Sequence, residues 1–202
     1  WEIQLEKSDQ NMSEVLQMQK NEANQLFCKN VNKEYENWLN GTTNEELVFS
    51  HQLLKEKLFP KLSDEKYFLV VIDNLRYDQW LTIKPTIQEL FEIDEEELYL
   101  SILPTTTQYS RNALFAGLTP KQIKQKYPNK WVSEEEEGGK NLNEEFLLNE
   151  NIKRNHINVK MSYNKITQLN AGKKLVNQFS NLLQNDFNTI VYNFVDTLSH
   201  VR

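Results

Sequence analysis

Asp73, the run Thr105-Thr106-Thr107, Asp196 and His200 are the residues whose types and placement suit chemistry. Asp196-Thr-Leu-Ser-His200 sets a carboxylate and an imidazole four residues apart, and zinc accepts both as ligands. The same stretch also suits a helix N-cap at Asp196 followed by a surface histidine. Asp73, in Ile72-Asp-Asn-Leu-Arg76, is a second carboxylate for one cation if Asp196 lies close by. Its alternatives are an N-cap or part of a receiver-type acidic pocket. Arg76 suits a phosphate oxygen through its planar fork, or a pair with Asp73 or Asp78. A threonine hydroxyl is a poor nucleophile until something activates it, and a metal ion does so by stabilising the alkoxide. A helix starting near the threonines adds free N–H groups and a positive dipole end, suited to an anion. Threonine there equally serves as strand former and N-cap.

These residues need elements to bring them together. Tyr-Phe-Leu-Val-Val-Ile over 67–72 is a continuous apolar run, as in a strand buried on both faces, and it ends in Asp73. A second strand is predicted over 98–103, ending at Pro104-Thr-Thr-Thr107, a weaker third over 157–161, and a fourth over 189–195, ending in Asp196. Helical patterns fall between them at 78–90, 110–118, 120–126, 143–153 and 168–184. Alternating strands and helices predict an α/β domain with a largely parallel sheet. Such sheets bind ligands outside the carboxyl ends of their strands, so Asp73, the threonines and Asp196 are expected at one edge.

Residues 1–60 read as a helical module. Phe27, Val31, Tyr35 and Trp38/Leu39 form one apolar stripe, and Gly41 ends it in the manner of a C-terminal cap. Thr43-Asn-Glu-Glu46 reads as a capping box opening a second helix through Leu47, Leu53, Leu54 and Leu58, closed by Pro60. The expected domains are therefore 1–60, a bundle segment or connector, and 61–202, the sheet domain. Glu134–Glu137 followed by Gly138-Gly139 is expected to be a solvated loop.

Composition narrows the classes. The 202 residues carry 23 Lys+Arg against 29 Asp+Glu, a net charge of −6. An acidic chain is a poor generic nucleic-acid binder, because backbone binding needs a basic surface. A nucleotide substrate then needs a local site or a metal to supply positive charge. Ten Phe, eight Tyr and four Trp exclude wholesale disorder. The one cysteine, Cys28, excludes an intrachain disulfide framework or a cysteine-cluster zinc site and fits a reducing compartment. No apolar run approaches the roughly 20 residues that span a bilayer. The start at Trp1 and the stop at Arg202 suggest a fragment of a longer protein.

Three motifs together carry a resemblance: Val-Val-Ile-Asp73-Asn-Leu-Arg76; Pro104-Thr-Thr-Thr107 with Gly117 thirteen residues after Pro104; and Asp196-x-x-x-His200. Their set and order resemble the alkaline phosphatase superfamily. The wording Ile-Asp-Asn-Leu-Arg-Tyr-Asp-Gln-Trp and Phe-Val-Asp-Thr-Leu-Ser-His is similar to PglZ domains, most of all the effector domain of PorX-type response regulators. The resemblance implies an alkaline-phosphatase-like, mostly parallel sheet flanked by helices and preceded by a helical bundle, with a receiver domain upstream.

It also implies roles. Asp73 matches the carboxylate for the second metal, and Asp196 and His200 match the pair for the first. Thr107 matches the nucleophile and metal-bound oxygen, with Thr106 as alternate. Arg76 and Asn74 fall where substrate is bound. The cofactor implied is Zn2+, two ions. The superfamily's later Asp-His pair and further histidine have no match here and are expected downstream of Arg202. The implied activity is a zinc-dependent phosphodiesterase acting on a nucleotide-type phosphodiester, plausibly a cyclic or short linear oligonucleotide. The implied setting is cytoplasmic, in a two-component system with an upstream receiver and its sensor kinase, a homodimer when phosphorylated, and regulation of type IX secretion and gliding. No membrane insertion is expected. Arg111, Lys121 and Lys124 are read as exposed salt-bridge residues able to assist an anion. The alternative is a signalling or scaffold module that keeps the fold and a structural metal without turnover. A sulfatase is disfavoured by threonine at the nucleophile position.

Overall fold

A computed structural model describes residues 10–42, 46–62, 65–132, 142–193 and 195. The chain divides into two compact units after Leu47. Among the described residues the first holds one helix, α1 (Gln10–Leu39). Its sequence has neither Gly nor Pro and is rich in Gln, Glu, Lys, Leu and Met, good helix formers. Gly41 follows with φ of +64°, and its N–H donates to the Trp38 carbonyl at 3.1 Å. Val31, Tyr35, Trp38 and Leu39 are half-buried, whereas Phe27 is exposed.

The second unit is built on a three-stranded parallel sheet, β1 (Tyr67–Ile72), β2 (Met161–Ile166) and β3 (Phe187–Tyr192), in the order β1-β3-β2. The register sets Tyr67, Phe187 and Met161 in one row, Leu69, Thr189 and Tyr163 in the next, and Val71, Val191 and Lys165 in the third. That face meets α3 (Thr107–Ala116) and α5 (Glu144–Arg154). The shared core holds Leu114, Phe115, Ala116, Leu147, Leu148, Ile152, Phe187 and Val191. The short α4 (Pro120–Lys126) adds Ile123 to it and begins with a capping box between Thr119 and Gln122. On the other face Phe68 stacks on Phe179 at 5.5 Å. At Gly172, α6 (Leu169–Asn177) lies against Ile166 and Tyr192, where a Cβ would stand at ordinary contact distances of 3.6 and 3.8 Å. The helix α2 (Tyr77–Gln88) leaves the end of β1.

Several expectations shift. The stretch 98–103 is not a strand of the sheet. Its backbone makes one parallel bridge, Leu100 with Phe49. Ile102 is buried while Leu98 is 88% exposed, so the segment sinks into the core toward its end and shows no strand-like alternation. The bridge also explains why no helix runs from Leu47 to Leu53. The backbones of Val48 and Ser50 bond to Leu100, and the Phe49 N–H bonds to the Gln52 side chain. Helical turns start at Leu54–Leu58, a π turn, and continue as the 3-10 turn Phe59–Lys61 containing Pro60. Thr43 to Glu45 of the expected capping box, and the expected loop at 134–139, lie outside the described residues.

Leu54 and Phe59 are buried in the same core as Phe115 and Phe187. The segment 48–61 thus packs with the sheet unit, and the structural division falls at Leu47 rather than at 60. The third strand comes later than 157–161. Ile157 and Val159 pack against the core, but pairing with β3 starts at Met161. The helix expected over 168–184 breaks at Gln178, after which the short α7 (Phe179–Leu182) leads toward β3.

Candidate functional site

The site lies at the carboxyl ends of the strands. Two backbone bonds carry the parallel ladder one step beyond them: Asp73 N–H to the Tyr192 carbonyl at 3.0 Å, and Asn193 N–H to the Ile166 carbonyl at 2.8 Å. Asp73 and Asn193 therefore stand side by side at the sheet edge. The Asp73 carboxylate takes Arg111 Nη1 at 2.7 Å and Asn193 Nδ2 at 3.4 Å, both on Oδ2.

Arg111 belongs to α3, which begins at Thr107. Residues four apart share one face of a helix, about 6 Å apart along its axis. Helical side chains lean toward the N-terminus. Arg111 reaches Asp73 at 2.7 Å, so α3 turns the face that carries Thr107 toward the same edge. Thr106 is the N-cap residue and its carbonyl accepts the Tyr109 and Ser110 amides. Thr105 and Thr106 are exposed and Thr107 is half-buried. The positive end of the helix dipole makes this end electropositive.

Arg111 is 5% exposed, which corrects its reading as a surface salt-bridge residue. It lies on the helix face that buries Leu114 and Phe115, three and four residues on. Its Nε donates to Glu144 Oε1, Nη1 is 3.4 Å from Asn193 Oδ1, and Nη2 has no hydrogen-bond partner among the described residues. Glu144 is 1% exposed and also takes the Tyr163 hydroxyl at 2.6 Å and Lys165 Nζ at 2.9 Å. Burial and the nearby Glu144 carboxylate push the Tyr163 phenol well above its ordinary pKa, so it stays a neutral donor. Lys121 and Lys124 are exposed.

The remaining predicted residues are placed as follows. Arg76 is exposed, and its fork grips Asp78 through Nε at 3.0 Å and Nη2 at 2.9 Å. That pair lowers the Asp78 pKa and raises that of Arg76. Asn74 is exposed, with φ of +60° in the turn after β1. Gly117 caps α3 with φ of +60°. Asp196 and His200 lie outside the described residues. β3 delivers the chain to the sheet edge at Asn193, three residues before Asp196. Among the described residues no group of three or more His, Cys, Asp or Glu is placed to hold a metal ion. Glu144, Tyr163, Lys165 and Asn193 were not singled out from the sequence. The available signal was Arg111, four residues after Thr107 and next to the apolar run that packs α3.

A parallel α/β unit with an aspartate after its first strand and a threonine at a helix N-terminus, both at the carboxyl edge, defines the class of α/β domains that bind ligands at strand ends. Residues 53–202 match the family model of PglZ, the BREX system PglZ alkaline phosphatase-like domain, and the chain belongs to that family. Residues 1–39 match the PorX response regulator linker domain. No curated protein matches the chain. Among the described residues no helix is long and apolar enough to cross a membrane.

Proposed function

We propose that this chain is effector machinery of a PorX-type response regulator: a metal-dependent phosphodiesterase with Thr107 as nucleophile and Asp73, Asp196 and His200 as metal ligands. The observation that carries the reading is the convergence of Asp73 and the Thr107 helix through Arg111 at 2.7 Å. Among the described residues, Asp73 offers a carboxylate of the kind zinc takes, and Thr107 a hydroxyl oxygen whose alkoxide a metal stabilises. Bound zinc would supply Lewis-acid stabilisation of negative charge on the reacting oxygens.

The chain's own residues do the rest. Thr107 Oγ forms a bond to phosphorus as its proton passes to solvent, the bond from phosphorus to the leaving oxygen breaks, and that oxygen takes up a proton from solvent and departs as the alcohol. Water then cleaves the phosphothreonine and releases a phosphomonoester. The N–H groups of Thr107 and Gln108 at the start of α3 receive the phosphoryl oxygens. Thr107 sits four residues before Arg111 and shares its face, which favours it over Thr106. Arg76 and Asn74, in the turn after β1, lie where a nucleotide-type substrate would be met. The regulatory setting is an upstream receiver and its kinase, a homodimer, and cytoplasmic control of type IX secretion and gliding. It rests on the linker match alone.

The test is hydrolysis of bis-(p-nitrophenyl) phosphate with zinc and with a chelator, beside Thr107→Val. Zinc-dependent turnover lost by at least about a hundredfold in the variant is expected. Turnover unchanged in Thr107→Val removes that residue from the role. No turnover by zinc-bound wild-type protein favours the signalling module.

A further inference from the structure

We propose that Arg111 is a positioning residue: anchored from behind by Glu144, it fixes the Asp73 carboxylate at the sheet edge and so sets the site's affinity for its divalent cation. The inference rests on the reading of Asp73 as a metal ligand.

The geometry carries it. Arg111 serves two carboxylates with different nitrogens, Nε for Glu144 and Nη1 for Asp73. Asn193 closes a triangle, accepting from Nη1 and donating to Asp73 Oδ2, each at 3.4 Å. The described contacts of Asp73 all fall on Oδ2, which leaves Oδ1 as the oxygen for an outward ligand. Glu144 in turn is pinned by Tyr163 and Lys165 of β2. Four elements, α3, α5, β2 and the end of β3, thus meet behind one carboxylate that is itself only 16% exposed.

A purely structural role explains this poorly. Buried ion pairs seldom repay their desolvation, and a hydrophobic replacement of equal volume is often as stable. Groups that hold a ligating carboxylate or histidine in place have a measurable worth of their own, typically 10- to 100-fold in metal affinity. Lysine cannot reproduce the bridge, because an ammonium is a point charge without the guanidinium fork.

The experiment measures Zn2+ affinity by competition with a chromophoric chelator for the full chain and for Arg111→Lys and Glu144→Gln. Metal-free thermal melts are run in parallel. Both variants are expected to keep a cooperative melt and to bind zinc about 10- to 100-fold more weakly. A merely charge-neutralising arginine would be rescued by lysine. Should Arg111→Lys fail to fold, Glu144→Gln carries the test, since it keeps the side-chain shape and one acceptor oxygen while removing the charge and the second acceptor behind the guanidinium. Wild-type affinity in a folded variant overturns the positioning role while leaving the phosphodiesterase reading intact. A full-length wild-type protein that neither binds zinc nor hydrolyses the diester overturns that reading, and this inference with it.

Discussion

His51 is half-buried, and its Nδ1 has no hydrogen-bond partner among the described residues. Burial holds its pKa below the ordinary value of 6.5. As pH falls, the unfolded chain binds the proton first, so this contribution to stability is full above about 6.5 and is lost progressively below it. His51→Leu should melt with a shallower decline between about pH 7 and about pH 5 than the wild type. An equal decline would assign the acid sensitivity to other groups. At this scale the sequence is informative where a polar residue ends an apolar run, as with Asp73 after Ile72. It is uninformative about Arg111, because a lone arginine in a helix reads as a surface charge. Its burial depends on Glu144 and Asp73 arriving from elements 33 and 38 residues away.

At the level of elements, the turn that ends α3 is the most constrained. Gly117 has φ of +60°, and a Cβ there would lie 2.5 Å from Asn151 Oδ1. Asn151 is 1% exposed and accepts from Asn155 Nδ2 at 2.9 Å, so it has little room to yield. Gly117→Ala should destabilise by more than about 2 kcal/mol, the upper end of the left-handed backbone cost alone. Gly41→Ala is the control: φ is +64° with nothing within 4 Å of a Cβ. It should cost about 1–2 kcal/mol. Denaturant titrations of both variants check the contrast, and equal losses would mean that Asn151 yields freely. The run that forms β1 is legible because it is wholly apolar. β2 is not, because Ser162, Asn164 and Lys165 resemble a loop until Glu144 and Asn188 are seen bonding Lys165 and Ser162. The run at 98–103 shows the converse error, an apolar stretch held extended by a single bridge rather than by a sheet.

For the whole molecule, the division at Leu47 makes a claim about energetics. Leu54 and Phe59 should behave as core residues of the sheet unit. Leu54→Ala should cost about 2–5 kcal/mol and Phe59→Ala about 3–5 kcal/mol in its unfolding. Losses under about 1 kcal/mol would return the boundary to 60. Proline at 60 and the helical spacing of the leucines suggested an independent helix. The sequence contains no local sign that Phe49 would be tied to Leu100, 51 residues on.

That tie has a consequence for how chain length can vary. The Leu100 N–H donates to the Val48 carbonyl at 2.8 Å, and the Ile102 N–H to Ser50 Oγ at 2.9 Å. Thr107 follows five residues later, so its position is measured from Val48 and Ser50 and not from the stretch near Glu92 that precedes the tie. Closing a longer loop costs only about 0.6 kcal/mol per doubling of its length. A Gly-Ser insertion after Glu92 should therefore leave the melting transition nearly unchanged, whereas a marked drop would show that the upstream stretch sets the threonine position. An insertion tolerated there would make the interval between Asp73 and Thr107 elastic, and the number of residues separating the two motifs a weaker mark of kinship than the anchors at either end.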